Sequence, residues 1–419
     1  MFLLYNLLLT ILAPFWVPWM WFKSRQRKES PNWVERQGRF DLPRRGDKRR
    51  IWVHTVSVGE FVAATPILQQ IRKTMPDHEI LVSVTTSSGH QTAREAEPGL
   101  FDHLVYFPID VARFQLGAMQ QVRPDVVAIM ETELWMNFTW AANVMGARTV
   151  LINGRISDRS FPRALKLKAF YRALMRNVDL SLMQTDTDVD RIKALGAREA
   201  RVVGNSKFDQ AIQGLEADPG EWKRALGIDL SKPTLVIGST RGEVEELFVL
   251  QALSEVGFDR LNVIHAPRHL ERVDALSGLV AAKTGRVALR SRNESGPYLI
   301  LDTYGELSSV YSVADLVIVG GAFANLGGQN IIQPLAHGKP LLYGPHMQNF
   351  RDVAAMADAA GAAKVCSTAD ELAKAITMLL DEPAKRQQMG QQAQRLVQQN
   401  VGASKRYAKV LAEEAAKAK

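Results

Sequence analysis

Cysteine is nearly missing from this 419-residue chain, with Cys366 the only one. A disulfide within one chain is excluded, and a thiolate-based zinc site nearly so. A lone thiol suits a reducing compartment without proving one. Of the eight histidines only His265 and His269 stand four apart, and no third ligand type at metal spacing accompanies them, so no metal is expected. No G-x-G-x-x-G follows the first strand-like run, and G-x-x-x-x-G-K-[ST] is absent. Both absences argue against the common dinucleotide and P-loop sites. Short-period repeats and low-complexity tracts are lacking too.

A broad basic surface is also missing. The net charge is +8, but residues 1–50 hold eleven basic and four acidic side chains, leaving only +1 for the rest of the chain. No basic reading module is visible, so nucleic acid is not an expected partner. With 46% hydrophobic and 23% charged residues, the composition excludes a disordered or fibrous chain. The length points to two or three domains.

Residues 1–22 carry no charge, and 18 of them are apolar or aromatic. A membrane span needs about 20 apolar helical residues. Pro14 and Pro18 are expected to interrupt the helix, and the stretch before Pro14 reaches only about 20 Å. Phe15, Trp16, Trp19, Trp21 and Phe22 have the composition of a membrane interface. Lys23 to Lys28 then suit anionic headgroups, at about 1 kcal/mol per basic residue. Residues 1–22 read as a short, monotopic hydrophobic anchor, with lipid contact through residues 1–28. A helix buried in its own domain is the alternative. A cleaved signal peptide lacks support, because there is no basic n-region and no A-x-A site. Were the segment to span, the positive-inside rule would still keep the body cytoplasmic.

From residue 51 onward, β-branched runs alternate with amphipathic stretches. Strands are predicted near 51–55, 80–84, 103–107, 125–130, 148–152, 179–183 and 201–203, and again near 234–238, 261–265, 298–301, 315–319 and 340–343. This alternation implies parallel sheets with helices on both faces. A polar stretch marked by Pro and Gly, 210–232, reads as a linker between domains 23–209 and 233–400. Residues 401–419 read as a C-terminal helix. Two such domains facing a central cleft would bind ligands at the carboxyl ends of their strands.

Chemistry-bearing residues cluster at those ends. In His54-Thr55-Val56-Ser57-Val58-Gly59-Glu60, Glu60 falls in the first turn of a helix. It is either helix-start chemistry or a general base for a hydroxyl nucleophile. Glu131-Thr132-Glu133-Leu134-Trp135 follows VVAIM directly, as paired carboxylates or as a cap before a core Trp. In Asn153-Gly154-Arg155 the arginine could hold an anion. Lys207, in Gly204-Asn205-Ser206-Lys207-Phe208-Asp209, is either a charge partner or a solvated linker lysine. Asp186-Thr187-Asp188 resembles a metal pair but reads as helix capping. Gly238-Ser239-Thr240-Arg241, Pro267-Arg268-His269, Gly320-Gly321 and Gly327-Gly328-Gln329-Asn330 are candidate anion-binding turns.

Taken with the hydrophobic start, Glu35-Arg36-Gln37-Gly38, Asp302-Thr303-Tyr304-Gly305-Glu306-Leu307 and Gly344-Pro345-His346, these motifs resemble the 3-deoxy-D-manno-octulosonic acid (Kdo) transferases of Gram-negative bacteria. The resemblance covers nearly the whole chain. It implies a GT-B fold of two Rossmann-like domains. It also implies transfer of Kdo from CMP-Kdo to a hydroxyl of a lipid A precursor, lipid IVA, in lipopolysaccharide inner-core synthesis. No cofactor or metal is implied, and the site would lie on the cytoplasmic face of the inner membrane. Glu60 matches the general base. Glu131 and Lys207 match residues that stabilise the transition state. Pro267, Arg268, Gly305, Glu306, Leu307, Asn330, Ile331, Ile332 and Gln333 match the CMP-binding positions. The chain departs from the family pattern at Gln329 and Gln333, where His and Glu are usual, and at Arg241 and Met136. Those departures leave two alternatives open: a non-catalytic or regulatory membrane-associated relative, and a GT-B transferase using another activated sugar.

Overall fold

A computed structural model describes residues 1–26, 32–213, 215 and 217–418. The chain divides into two compact units. The first comprises residues 1–210 together with 401–419, and the second residues 211–400.

The first unit is built on seven strands, β1 (Arg50–Thr55), β2 (Glu79–Val84), β3 (His103–Tyr106), β4 (Val126–Met130), β5 (Arg148–Gly154), β6 (Leu180–Met183) and β7 (Ala200–Val202). They pair in the order β3-β2-β1-β4-β5-β6-β7, and every neighbour is parallel. Parallel strands covered on both faces read as continuous apolar runs, and all five residues of β4, VVAIM, are buried. The helix Val58–Thr74 and the C-terminal helix Ala403–Lys417 cover one face through Ile67, Ile71, Tyr407 and Leu411. The other face is covered by the helices Ala112–Val122, Met136–Val144 and Lys168–Met175, through Met119, Phe138 and Leu174. Strand order reverses between β1 and β4, which opens a crevice at their carboxyl ends.

The helices Phe2–Ile11 and Ala13–Gln26 and the one-turn helix Trp33–Arg36 precede the sheet. The bend between Phe2–Ile11 and Ala13–Met20 is 67°, and among the described residues no single helix is long and apolar enough to cross a membrane. The helical path breaks once, ahead of Pro14. Pro14 occupies the first turn of the second helix, where its missing N–H costs nothing, while Pro18 is accommodated inside that helix. The first helix docks by one edge. Phe2 packs on Trp140 at 4.6 Å between ring centres. The Tyr5 hydroxyl donates to Asp110 Oδ2 at 2.9 Å, and Asn6 hydrogen-bonds Asn137. Leu3, Leu7, Ile11, Phe15, Trp19 and Phe22 remain exposed. One edge of the first helix thus packs into its own unit, while the other edge is apolar and exposed. Arg27 and Lys28 of the expected headgroup-binding run lie outside the described residues.

The second unit carries β8 (Thr234–Thr240), β9 (Asn262–Pro267), β10 (Ala288–Leu289), β11 (Tyr298–Ile300), β12 (Leu316–Val319), β13 (Leu341–Tyr343) and β14 (Ala363–Val365). Their order is β10-β11-β9-β8-β12-β13-β14, again wholly parallel, with the reversal between β8 and β12. The edge strands β10 and β14 were not foreseen. The expected linker 210–232 contains regular structure among its described residues. It holds the helix Pro219–Ala225, capped by Asp218, and buries Leu226. Its Trp222 ring lies 5.8 Å from the Arg290 guanidinium.

Candidate active site

Glu60 stands at the reversal point of the first sheet. β1 ends at Thr55, and Ser57 caps the helix Val58–Thr74 by accepting from the Glu60 N–H. The Glu60 side chain folds back so that Oε2 accepts from the Val56 N–H at 2.8 Å. Seen locally this is a variant of the capping box, with the carboxylate bonded to the N–H of Val56 and not to that of the cap Ser57. Its surroundings make it more, because burial pushes the carboxyl up to about 8 against the hydrogen bond from Val56, and the charges of Glu131 and Glu133 add to the rise. Burial, and then Glu131, also raise the Glu133 carboxyl.

Glu131 leaves the end of β4 with φ +53°, in the left-handed region that non-glycine residues seldom adopt. Its N–H donates to the Ile152 carbonyl on β5 at 2.9 Å, and the tight turn aims the carboxylate at Lys207. Lys207 Nζ lies 2.9 Å from Glu131 Oε1, with each side chain about one-fifth exposed at 21% and 22%. Lys207 is therefore held in an ion pair and is not a solvated linker lysine.

Asn153, Ser206 and Asp209 hold this arrangement together. Asn153, also left-handed at φ +52°, accepts the Ser206 N–H on Oδ1 at 3.1 Å. The Ser206 hydroxyl donates to the Ala63 carbonyl at 2.8 Å, one turn beyond Glu60. Asp209 accepts the N–H groups of Gly402 and Ser404, and the Tyr407 hydroxyl donates to the Gly204 carbonyl at 2.6 Å. The C-terminal helix thereby clamps the segment that carries Lys207.

Other expectations at strand ends resolve into structure. His54 is fully buried, stacks 3.7 Å from the Phe107 ring and is pushed down to about 3 by burial, so it is a neutral core residue. The helix Asp186–Ala194 is capped by Thr185, whose hydroxyl accepts the Asp188 N–H and donates to the Asp188 carboxylate, while that carboxylate also accepts the Ile156 N–H, so Asp186-Thr187-Asp188 forms the first helical turn and Thr185 the cap. Among the described residues no group of three or more His, Cys, Asp and Glu stands close enough to hold a metal.

The second unit gathers the remaining positions around its own reversal point. Pro267 ends β9, and the Arg268 N–H donates to the Thr240 carbonyl at 2.9 Å, leaving the Arg268 side chain exposed. Gly305, Glu306 and Leu307 follow β11, with Leu307 opening a short helix. Glu306 pairs with Arg290 at 3.0 Å. Burial opposes its ionisation, but the hydrogen bonds from Arg290 and Thr303 hold it below the usual carboxylate range. Asn330 Oδ1 accepts the Ile332 N–H at 3.0 Å. Ile331 and Ile332 are fully buried, so of this stretch only Asn330 and Gln333 present surface.

Glu245 was not singled out in the sequence, where it looks like one more acid at a helix start. It is fully buried. Its carboxylate accepts four backbone N–H groups, from Arg241 at 2.8 Å, Gly321 at 2.7 Å, Phe323 at 2.9 Å and Ala324 at 3.2 Å. The turn after β8 is thus tied to the loop after β12. Gly320 completes that junction, since a Cβ there would sit 2.5 Å from the Thr240 Cα.

Residues 31–210 match the family profile described as 3-Deoxy-D-manno-octulosonic-acid transferase (kdotransferase). The chain is 32% identical to the 3-deoxy-D-manno-octulosonic acid transferase of Bordetella pertussis, over 96% of each protein. It is 31% identical to that of Chlamydophila psittaci, over 80% of this chain and 78% of the other. In fold it is similar to the UDP-GlcNAc 2-epimerase of Neisseria meningitidis. The TM-score is 0.62 over 88% of this chain and 100% of that one, at 11% identity. Nearly end-to-end similarity at this level, on two Rossmann-like α/β units of the GT-B kind, means that the chain belongs to the 3-deoxy-D-manno-octulosonic acid transferase family of glycosyltransferases.

Proposed function

We propose that this enzyme moves Kdo from CMP-Kdo to a hydroxyl of the lipid A precursor lipid IVA, in lipopolysaccharide inner-core synthesis. The reaction runs without a metal or other cofactor, at the cytoplasmic face of the inner membrane. In the transfer, the acceptor oxygen bonds to the anomeric carbon of Kdo. The bond from that carbon to the phosphate oxygen breaks, CMP leaves with the electron pair, and the acceptor proton passes to the Glu60 carboxylate. A sugar hydroxyl is a poor nucleophile until its proton is taken, and a base serves best with a pKa near the working pH. Glu60 is pushed up to about 8, which meets that requirement.

The observation that carries the reading is the Lys207–Glu131 ion pair at the same crevice. An ammonium has three donors, so pairing with Glu131 leaves two N–H bonds for a substrate anion. Preorganised charge of this kind lowers barriers in which charge separates. Pro267, Arg268, Gly305, Glu306, Leu307 and the stretch Asn330 to Gln333 form the CMP site in this reading. Arg268 offers an exposed cation for the phosphate, while Ile331 and Ile332 set the backbone from beneath. Anchoring residues 1–28 at the bilayer would bring the enzyme to a lipid acceptor without a three-dimensional search.

The test is a transfer assay with CMP-Kdo and tetraacylated lipid IVA, run in EDTA, with wild type beside Glu60→Gln. Product from wild type alone is expected. Equal product from both would remove Glu60 as the base. Product only after a divalent cation is restored would overturn metal independence.

A further inference from the structure

Two largely apolar cavities lie side by side within the first unit, between the N-terminal helix pair and the body, with Arg36 and Asp110 in the wall of one and Asn6, Gln37 and Arg113 in that of the other. One has a volume of about 330 Å³ and is walled by Leu9, Trp16 and Met20 from the helices and by Phe107, Ile109 and Trp135 from the body. The other, of about 640 Å³, shares Leu9, Trp16, Met20, Ile109 and Val111. Both volumes fall in the range of small-molecule sites. A helix docked only to stabilise itself would close such a seam, because an unfilled apolar gap forfeits dispersion contacts.

We propose that this seam is a binding slot for one saturated fatty acyl chain of the lipid acceptor, an inference that rests on the lipid-acceptor reading above. Three observations favour that occupant. First, Trp19 belongs both to the wall of the slot and to the exposed apolar ridge of Leu3, Leu7, Ile11, Phe15 and Phe22. A chain leaving a bilayer would pass from one to the other without crossing water. Second, the wall at one end is Trp135, four residues after Glu131. This sets the slot close in sequence to the carboxyl end of β4. Third, Arg36 lines the same cavity, its guanidinium held by the Phe107 carbonyl at 3.0 Å and by the Thr85 carbonyl. That positive charge suits an anionic lipid headgroup above an apolar chain. The slot would thus measure the acyl chain while the crevice between β1 and β4 handles the sugar.

The test uses the full chain and 12-bromododecanoate below its critical micelle concentration, with bromine quenching tryptophan fluorescence. Saturable quenching is expected in wild type, through Trp16, Trp19 and Trp135. Leu9→Phe and Val111→Phe fill the slot from opposite walls. Excluding about two methylenes, at about 0.8 kcal/mol each, should weaken the probe about tenfold. The same variants should lower the ratio of kcat/KM for acylated over fully deacylated acceptor by a similar factor. Quenching that does not saturate, or that is equal in wild type and both variants, marks general surface adsorption and overturns the slot. Saturable, variant-sensitive quenching without transfer to either acceptor keeps the slot and overturns the transfer reading. Transfer to the acylated acceptor with no quenching does the reverse.

Discussion

The Lys207 ammonium sits 2.9 Å from the Glu131 carboxylate, although the two residues lie 76 positions apart in the chain. Glu131 leaves β4 through a left-handed turn, and Lys207 starts a helix whose approach is fixed by Ser206 against Asn153 and Ala63. A half-buried pair built at the cost of a strained backbone serves the site more than the stability of the fold, since strain of this kind concentrates where function requires it.

Replacing Lys207 by Met should therefore reduce kcat far more than it reduces stability. Loss of one preorganised charge at a reacting centre costs about a hundredfold to a thousandfold. Thermal unfolding should shift only slightly, because breaking a partly exposed ion pair costs about 1 kcal/mol or less. A variant whose kcat falls less than tenfold would demote Lys207 to a structural residue.

The proton on Glu60 gives a pH signature. With the carboxyl pushed up to about 8, kcat/KM should climb with pH and level off near that value. Glu133→Gln removes one of the charges that raise Glu60 and should move the rising limb to lower pH. The stability sign is opposite. A carboxyl whose folded pKa lies above its unfolded value contributes stability that is complete below the ordinary carboxylate range and is lost as pH rises through about 8. Melting temperatures of wild type should fall relative to Glu60→Gln across that interval. A parallel pair of melting curves would show that burial does not hold the proton.

Much of this arrangement is legible in the chain. Runs such as VVAIM and TLVIG announce buried parallel strands, and the carboxylates that follow them mark the ends where ligands bind. Ala288–Leu289 and Ala363–Val365 are not legible, because two- and three-residue edge strands carry no run long enough to show a period. Glu245 is hidden for another reason. In Arg241-Gly242-Glu243-Val244-Glu245-Glu246 its neighbours make it look like a solvated helix start, and only the fold brings the Gly321 to Ala324 amides onto it. The stretch 217–232 misleads by composition, since its packing rests on a few contacts such as Leu226 and Trp222.

Glu245 also supplies a sharp stability test. Glu245→Ala would strand four buried N–H donors, and an unsatisfied buried donor costs about 1–3 kcal/mol. Relaxation and water entry will recover part of that sum, so a net loss of about 3 kcal/mol or more is expected. Urea unfolding of the full chain would measure it. The loop that Glu245 fixes adjoins the proposed CMP site, so the KM for CMP-Kdo should rise as well. A variant as stable as wild type would mean that the loop finds other acceptors.

Gln333 tests the nucleotide site directly. It presents surface at the start of the helix Ile332–Ala336, beside Asn330 and above the buried Ile331 and Ile332. In the family pattern a glutamate stands here to accept hydrogen bonds from ribose hydroxyls. Glutamine keeps an acceptor oxygen but loses the charge that makes such bonds shorter and about twice as strong. If Gln333 touches the ribose, Gln333→Glu should lower the KM for CMP-Kdo by about tenfold, the equivalent of 1.4 kcal/mol. It should leave kcat within about a factor of two, because a contact made equally in ground and transition states changes binding and not turnover. A KM that does not move removes Gln333 from the donor site and leaves the other proposed CMP-site residues, Arg268 and Asn330 among them, to hold the nucleotide.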